Sequence, residues 1–155
     1  MRRTFLLALA ASVVAAAVAA PLPYDESADA KAAVANALAA ATATHRPVLV
    51  IFGANWCEDC RALDAALKAP KNIDLVMREF VVVKVDVGRF DRNLDLTERY
   101  GNPTKKGIPA AVILSPDNQV LYATRAGELA DARQMSEGGV YDFFRDAAAS
   151  ARPKP

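Results

Sequence analysis

Val48-Leu49-Val50-Ile51-Phe52 is the segment that leaves this chain the fewest choices. Side chains along a β-strand point alternately to opposite faces, so a strand with no polar residue has to be covered on both. Val48, Val50 and Ile51 are β-branched, which favours a strand over a short buried helix. A second run, Phe80-Val81-Val82-Val83-Lys84-Val85-Asp86-Val87, has the same character and stops at Gly88. Around these runs the spacing turns helical. Residues 27–44 are Ala-rich with Val34 and Leu38 four apart, and residues 57–68 bring Cys60, Leu63, Ala66 and Leu67 onto one face before Pro70. Asn72 is placed to cap a short helix over 72–79, and residues 93–100 leave room for a helical turn or two. In the last helix, over 140–151, Val140, Phe143, Phe144 and Ala147 make a core-facing stripe. Ala110–Leu114 and Val120–Ala123 flank Ser115-Pro116-Asp117-Asn118-Gln119 and predict a hairpin. This order predicts an α/β fold with a central mixed sheet flanked by helices on both faces.

Composition narrows the function. The chain has 155 residues, 19 Lys+Arg against 18 Asp+Glu, and a formal charge of +1. Nucleic-acid binding draws most of its affinity from clustered cations, so no nucleic-acid partner is expected. Cys57 and Cys60 are its two cysteines, too few for a disulfide scaffold or for a complete structural zinc site. Arg2 and Arg3 precede an uncharged Leu, Val and Ala-rich run that ends in Val18-Ala19-Ala20 before Pro21. That pattern predicts a signal peptide over 1–20, cleaved after Ala20, and a periplasmic or otherwise exported protein. An uncleaved anchor is the alternative, but the run falls short of the ~20 apolar residues a span needs. Residues 21–26 read as a linker, 27–151 as the domain and 152–155 as a charged tail.

Trp56-Cys57-Glu58-Asp59-Cys60 stands between the buried strand and the amphipathic helix, the setting in which Cys-x-x-Cys supports redox chemistry. At a helix start Cys57 faces unsatisfied N–H groups and the positive end of the dipole, both of which favour thiolate over thiol. Cys57 is therefore the expected attacking sulfur. Cys60, one turn on and on the inner side, is the expected resolving sulfur. Two other readings use the same residues: an inert disulfide, and a copper(I) or zinc site with His45, Glu58 or Asp59 as further ligands. His45 precedes the strand and is expected at its far end, as a helix-terminal residue.

Through Val48-Leu49-Val50-Ile51-Phe52-Gly53-Ala54-Asn55-Trp56-Cys57-Glu58-Asp59-Cys60 and again through Gly107-Ile108-Pro109-Ala110, the chain resembles the thioredoxin superfamily, and in particular its exported members. The resemblance spans roughly residues 32–148. It implies a three-layer thioredoxin-like fold, a cis Pro109 against the cysteine pair, and Ile108 backbone groups offered to an extended substrate segment. Trp56 itself reads as a cover for the cysteine pair on the substrate side or as a partly buried aromatic. It also implies protein disulfides as substrates and a dithiol electron donor, which the exported members suggest is membrane-bound; a monomer is expected and no cofactor. Two departures stand out. Ile51 occupies the place of a buried aspartate common in thioredoxin, and Val82 is read as the place of its lysine partner, so that proton relay is expected to be absent. The 88–106 loop is also longer than in minimal thioredoxins.

Glu58 and Asp59 put negative charge beside Cys57 and are expected to raise its pKa, which favours a reductant over an oxidant. Lys105, Lys106 and Arg61 are the cations expected to approach and offset them. Phosphate loops, Ser-His-Asp sets and paired catalytic carboxylates are not evident.

Overall fold

The computed structural model describes residues 21–152; the signal-peptide pattern of 1–20 and the tail residues 153–155 lie outside the described residues. The elements run α1 (Ala30–Thr44), β1 (Val48–Gly53), α2 (Glu58–Leu67), α3 (Pro70–Glu79), β2 (Val81–Asp86), α4 (Leu94–Arg99), β3 (Ala110–Leu114), β4 (Val120–Ala123) and α5 (Glu137–Ser150). Short 3-10 turns lie at Pro103–Lys106 and Ala132–Gln134. The sheet order is β2-β1-β3-β4, with β1 and β2 parallel and the other pairs antiparallel.

Every residue of β1 is buried, as a wholly apolar central strand requires. Val48, Val50 and Phe52 face a core layer with Val34, Ala37 and Ala41 of α1 and Leu96 of α4. Leu49 and Ile51 face the opposite layer with Leu63 and Leu67 of α2, Leu75 of α3 and Phe144 of α5. The result is three layers: α1 and α4, the sheet, then α2, α3 and α5. The cysteines lie at the C-terminal end of β1, where the strand hands over to α2.

Several local expectations shift. α1 begins at Ala30, not Ser27, because Asp29 caps it by accepting from the Ala32 N–H at 3.0 Å, while Ser27 turns back onto Asp25. Asn72 does not cap α3. Pro70 takes the first helical position, where no N–H is needed, with Ala69 as the cap residue. Asn72 is buried instead, and its Nδ2 donates to the carbonyls of Ala66 at 2.8 Å and Glu137 at 3.1 Å, tying α3 to the start of α5. α5 begins at Glu137, since Ser136 caps it through the Gly139 N–H. Within it Val140, Phe144 and Ala147 are buried, whereas Phe143 is only partly covered and stacks edge-on against Tyr122 and Phe144. The 21–26 segment is not a free linker: Tyr24 is 4% exposed and packed in the core.

Candidate active site

Chain geometry builds the site from β1 outward. Past Gly53 the strand turns through Ala54 and Asn55, and Cys57 becomes the N-cap of α2. Its Sγ accepts the Cys60 N–H at 3.1 Å, the bond a capping side chain makes to a helix's otherwise unpartnered amides. A thiolate in that position is stabilised by the same amide and by the helix dipole. Cys57 and Cys60 form a disulfide, with Cα atoms 5.2 Å apart. Cys57 is 6% exposed and lines a groove on the surface; Cys60 is 1% exposed beneath α2.

The Ile108–Pro109 peptide bond is cis, and the Ile108 carbonyl oxygen lies 3.6 Å from Cys57 Sγ. Gly107 before it has φ +118°, and a Cβ there would stand 2.9 Å from that of Ala130, so both backbone and space call for glycine. Trp56 is 46% exposed and fixed at one edge by Nε1 donating to the Gly88 carbonyl at 2.8 Å. Phe90, with φ +62°, packs its ring edge-on to Trp56 at 6.4 Å, and the Arg89 guanidinium lies 5.7 Å from the Trp56 ring centre. A bulky residue at positive φ is held there by its surroundings. Trp56, Cys57, Phe90, Gly107, Ile108 and Arg133 line a shallow cavity of about 460 Å³. A larger one, about 620 Å³, lies at the other end of β1 around His45, Arg46 and Phe80; no cysteine lines it.

The cations expected at the acids are not the ones that meet them. Arg133, from the turn before α5, pairs with Glu58 and donates its backbone N–H to Asp59 Oδ1 at 3.0 Å. Arg61 instead donates to the Asn55 carbonyl at 2.7 Å, and Lys105 and Lys106 are exposed on their own turn. Arg133 lies more than seventy residues along the chain from either acid, and nothing local in the sequence pointed to it. His45 caps α1 at the opposite end of β1 from the cysteines, so it does not join them as a ligand.

Register revises the lysine position. Ile51 pairs with Lys84 across the parallel ladder, while Val82 pairs with Leu49. A lysine therefore does stand beside Ile51, and its carboxylate comes from the helix above. Lys84 pairs with Asp64 of α2, which Lys68 also reaches at 2.7 Å. Burial pushes the Asp64 carboxyl up, but the hydrogen bonds and charges of Lys68 and Lys84 outweigh it and hold it below the usual carboxylate range. Asp64 sits one helical turn after Cys60.

The 21–26 segment belongs to the site as well. Tyr24 N–H donates to Asn55 Oδ1 at 3.0 Å and the Asn55 amide returns a bond to Tyr24 O at 2.8 Å, clamping the segment to the loop that carries Cys57.

A family model described as thioredoxin-like matches residues 29–116. The chain belongs to the thioredoxin-like family. A disulphide isomerase from Xylella fastidiosa Temecula1 is 56% identical over 83% of this chain and 98% of its own, with a TM-score of 0.81. The C-terminal domain of DsbD from Neisseria meningitidis, in its oxidised form, is 23% identical over 77% of this chain and 97% of that one, TM-score 0.52. A DsbH oxidoreductase is 17% identical over 86% of each chain, TM-score 0.56. At those identities the last two speak for the fold alone. No curated protein matches the sequence. Family membership and the Cys57–Cys60 pair at a helix start make the protein a thiol-disulfide oxidoreductase.

Proposed function

We propose that the protein exchanges disulfides with protein substrates outside the cytoplasm, entering the reaction as the dithiol. Cys57 thiolate attacks a substrate disulfide, one substrate sulfur leaves, and a mixed disulfide remains on Cys57. Cys60 then attacks Cys57 Sγ, and the second substrate sulfur leaves as a thiolate that takes a proton from solvent. The observation that carries this reading is Cys57 Sγ at the N-cap of α2, held at 3.1 Å from the Cys60 N–H with Ile108 O at 3.6 Å on its open side.

In this reading Trp56 and the Ile108–Pro109 backbone receive an extended substrate segment. Glu58 and Asp59 keep the Cys57 thiolate from being over-stabilised, which suits a reductant or isomerase, and Arg133 lessens their effect. A relative named as a disulphide isomerase supports the same direction, since isomerisation begins with attack by a free thiol. A dithiol protein of the membrane resupplies electrons, as the family resemblance implies, and the protein acts as a monomer. Export rests on the charge and hydropathy pattern of residues 1–20.

The test is insulin-disulfide reduction under a dithiol donor, together with a Cys60→Ser trap. Wild type reduces insulin, Cys57→Ser does not, and Cys60→Ser accumulates substrate held on Cys57. Equal rates for wild type and Cys57→Ser would contradict the reading.

A further inference from the structure

Beneath α2, on the sheet face that carries Ile51 and Lys84, the side chain missing at Gly53 leaves a space that two reactive groups share. A Cβ at Gly53 would collide with the Tyr24 hydroxyl and would stand 2.9 Å from Cys60 Sγ. The hydroxyl and the resolving sulfur are therefore neighbours across one bare Cα. Gly53 is an extended strand residue whose φ is unremarkable, so glycine is needed here for room and not for conformation. The phenol is delivered by the double backbone clamp between Tyr24 and Asn55, and Glu26 and Arg92 fasten the same segment from outside.

We propose that Tyr24, whose hydroxyl lies beside Cys60 without a hydrogen bond to it in the disulfide, donates to Cys60 Sγ once the pair is reduced and supports the thiolate Cys60 must become to resolve a mixed disulfide. The inference rests on the functional reading above and deepens it. In the disulfide the Cys60 sulfur is a weak acceptor; as a thiolate it is a strong one, and a neutral donor beside it favours that form. The surroundings make such a donor necessary. Asp64 on α2 and Asp86 on β2 both act on this region, and Asp86, 5% exposed, has Oδ2 without a hydrogen bond and only the Arg92 Nη1 at 3.5 Å. Two carboxylates oppose a buried thiolate, and the lysines that offset Asp64, Lys84 and Lys68, are engaged by it. Burial, and then the charges of Asp64 and Asp86, hold the phenol well above its ordinary pKa, so it keeps its proton and remains a donor. In the step itself Cys60 loses its proton to solvent, the Cys60–Cys57 bond forms as the Cys57–substrate bond breaks, and the Tyr24 proton stays on its oxygen. The electron pair of the broken Cys57–substrate bond leaves on the substrate sulfur, which is reduced to a thiolate, while the lone pair of the Cys60 thiolate forms the new protein disulfide.

Stopped-flow mixing of the reduced protein with 5,5′-dithiobis(2-nitrobenzoate) separates the two sulfurs. The first thionitrobenzoate leaves as Cys57 attacks and the second as Cys60 resolves. Tyr24→Phe keeps the ring and the backbone clamp; it is expected to leave the first phase unchanged, to slow the second about tenfold at pH 7, and to move the second phase's pH midpoint upward by about one unit. Replacing Tyr24 with 3,5-difluorotyrosine, a stronger donor of nearly the same shape, is expected to move that midpoint downward. An unmoved midpoint in both variants, or equal slowing of both phases, overturns the inference. A wild type that releases no thionitrobenzoate overturns the functional reading and this inference together, whereas a normal wild type with an unaffected Tyr24→Phe overturns the inference alone.

Discussion

Arg133 is the side chain that meets both acids between the cysteines. Its guanidinium pairs with Glu58 and lies 3.5 Å from Asp59, and removing it leaves both carboxylates to act on Cys57. Arg133→Ala is therefore expected to raise the Cys57 pKa and slow its alkylation at pH 7 a few-fold. Both Arg133 and Glu58 are more than half exposed, so the effect shrinks as salt rises above about 0.15 M. Iodoacetamide rates for wild type and variant at low and high salt check this; a salt-independent change would point to lost packing. Tyr24 gives a second residue-scale expectation. Its phenol is held above the unfolded value of about 10, so the associated stability is present below that pH and is lost as pH rises through and beyond it. Urea unfolding of wild type should weaken above about pH 10, and Tyr24→Phe should lack that part of the slope.

At the scale of elements, α2 is joined to the sheet by a carboxylate as well as by Leu63 and Leu67. Asp64 is nearly buried, and its folded pKa lies below its unfolded value near 3.9, so its contribution is present above about pH 4 and lost as pH falls below it. Asp64→Ala leaves Lys84 half-buried without a partner and is expected to cost about 1–3 kcal/mol at pH 7, with most of the difference gone in acid, measured by urea unfolding at the two pH values. A difference that persisted undiminished at pH 3 would contradict the ion-pair account. What was legible here follows the range of the interactions. The β1 and β2 runs, the hairpin bounds and the helix start at Cys57 depend on neighbours within a few residues, and period and turn chemistry report those. Lys84 beside Ile51 depends on register between strands separated by two helices, and a lysine one pleat away from Val82 could not be told apart from it by pattern alone. Tyr24, Asn55 and Arg133 meet the site across 31 to 75 residues of chain, and no local pattern marks such meetings.

For the whole molecule, the three layers keep β1 buried while its C-terminal end delivers one sulfur to a groove and the other beneath α2 beside Gly53. A reductant or isomerase built this way should equilibrate with glutathione near thioredoxin's value of ~−270 mV, and a value near ~−120 mV would assign it the oxidising direction instead. No helix among the described residues is long and apolar enough to cross a membrane. The account turns on unequal sulfurs. Its most direct test is alkylation of the folded, reduced protein across pH 5–9 with the label on each cysteine read by mass spectrometry. Cys57 should be modified first, with an apparent pKa below the ~8.5 of a free cysteine, while Cys60 stays protected until the fold is opened. Equal labelling of both sulfurs, or equal resistance in both, would contradict it.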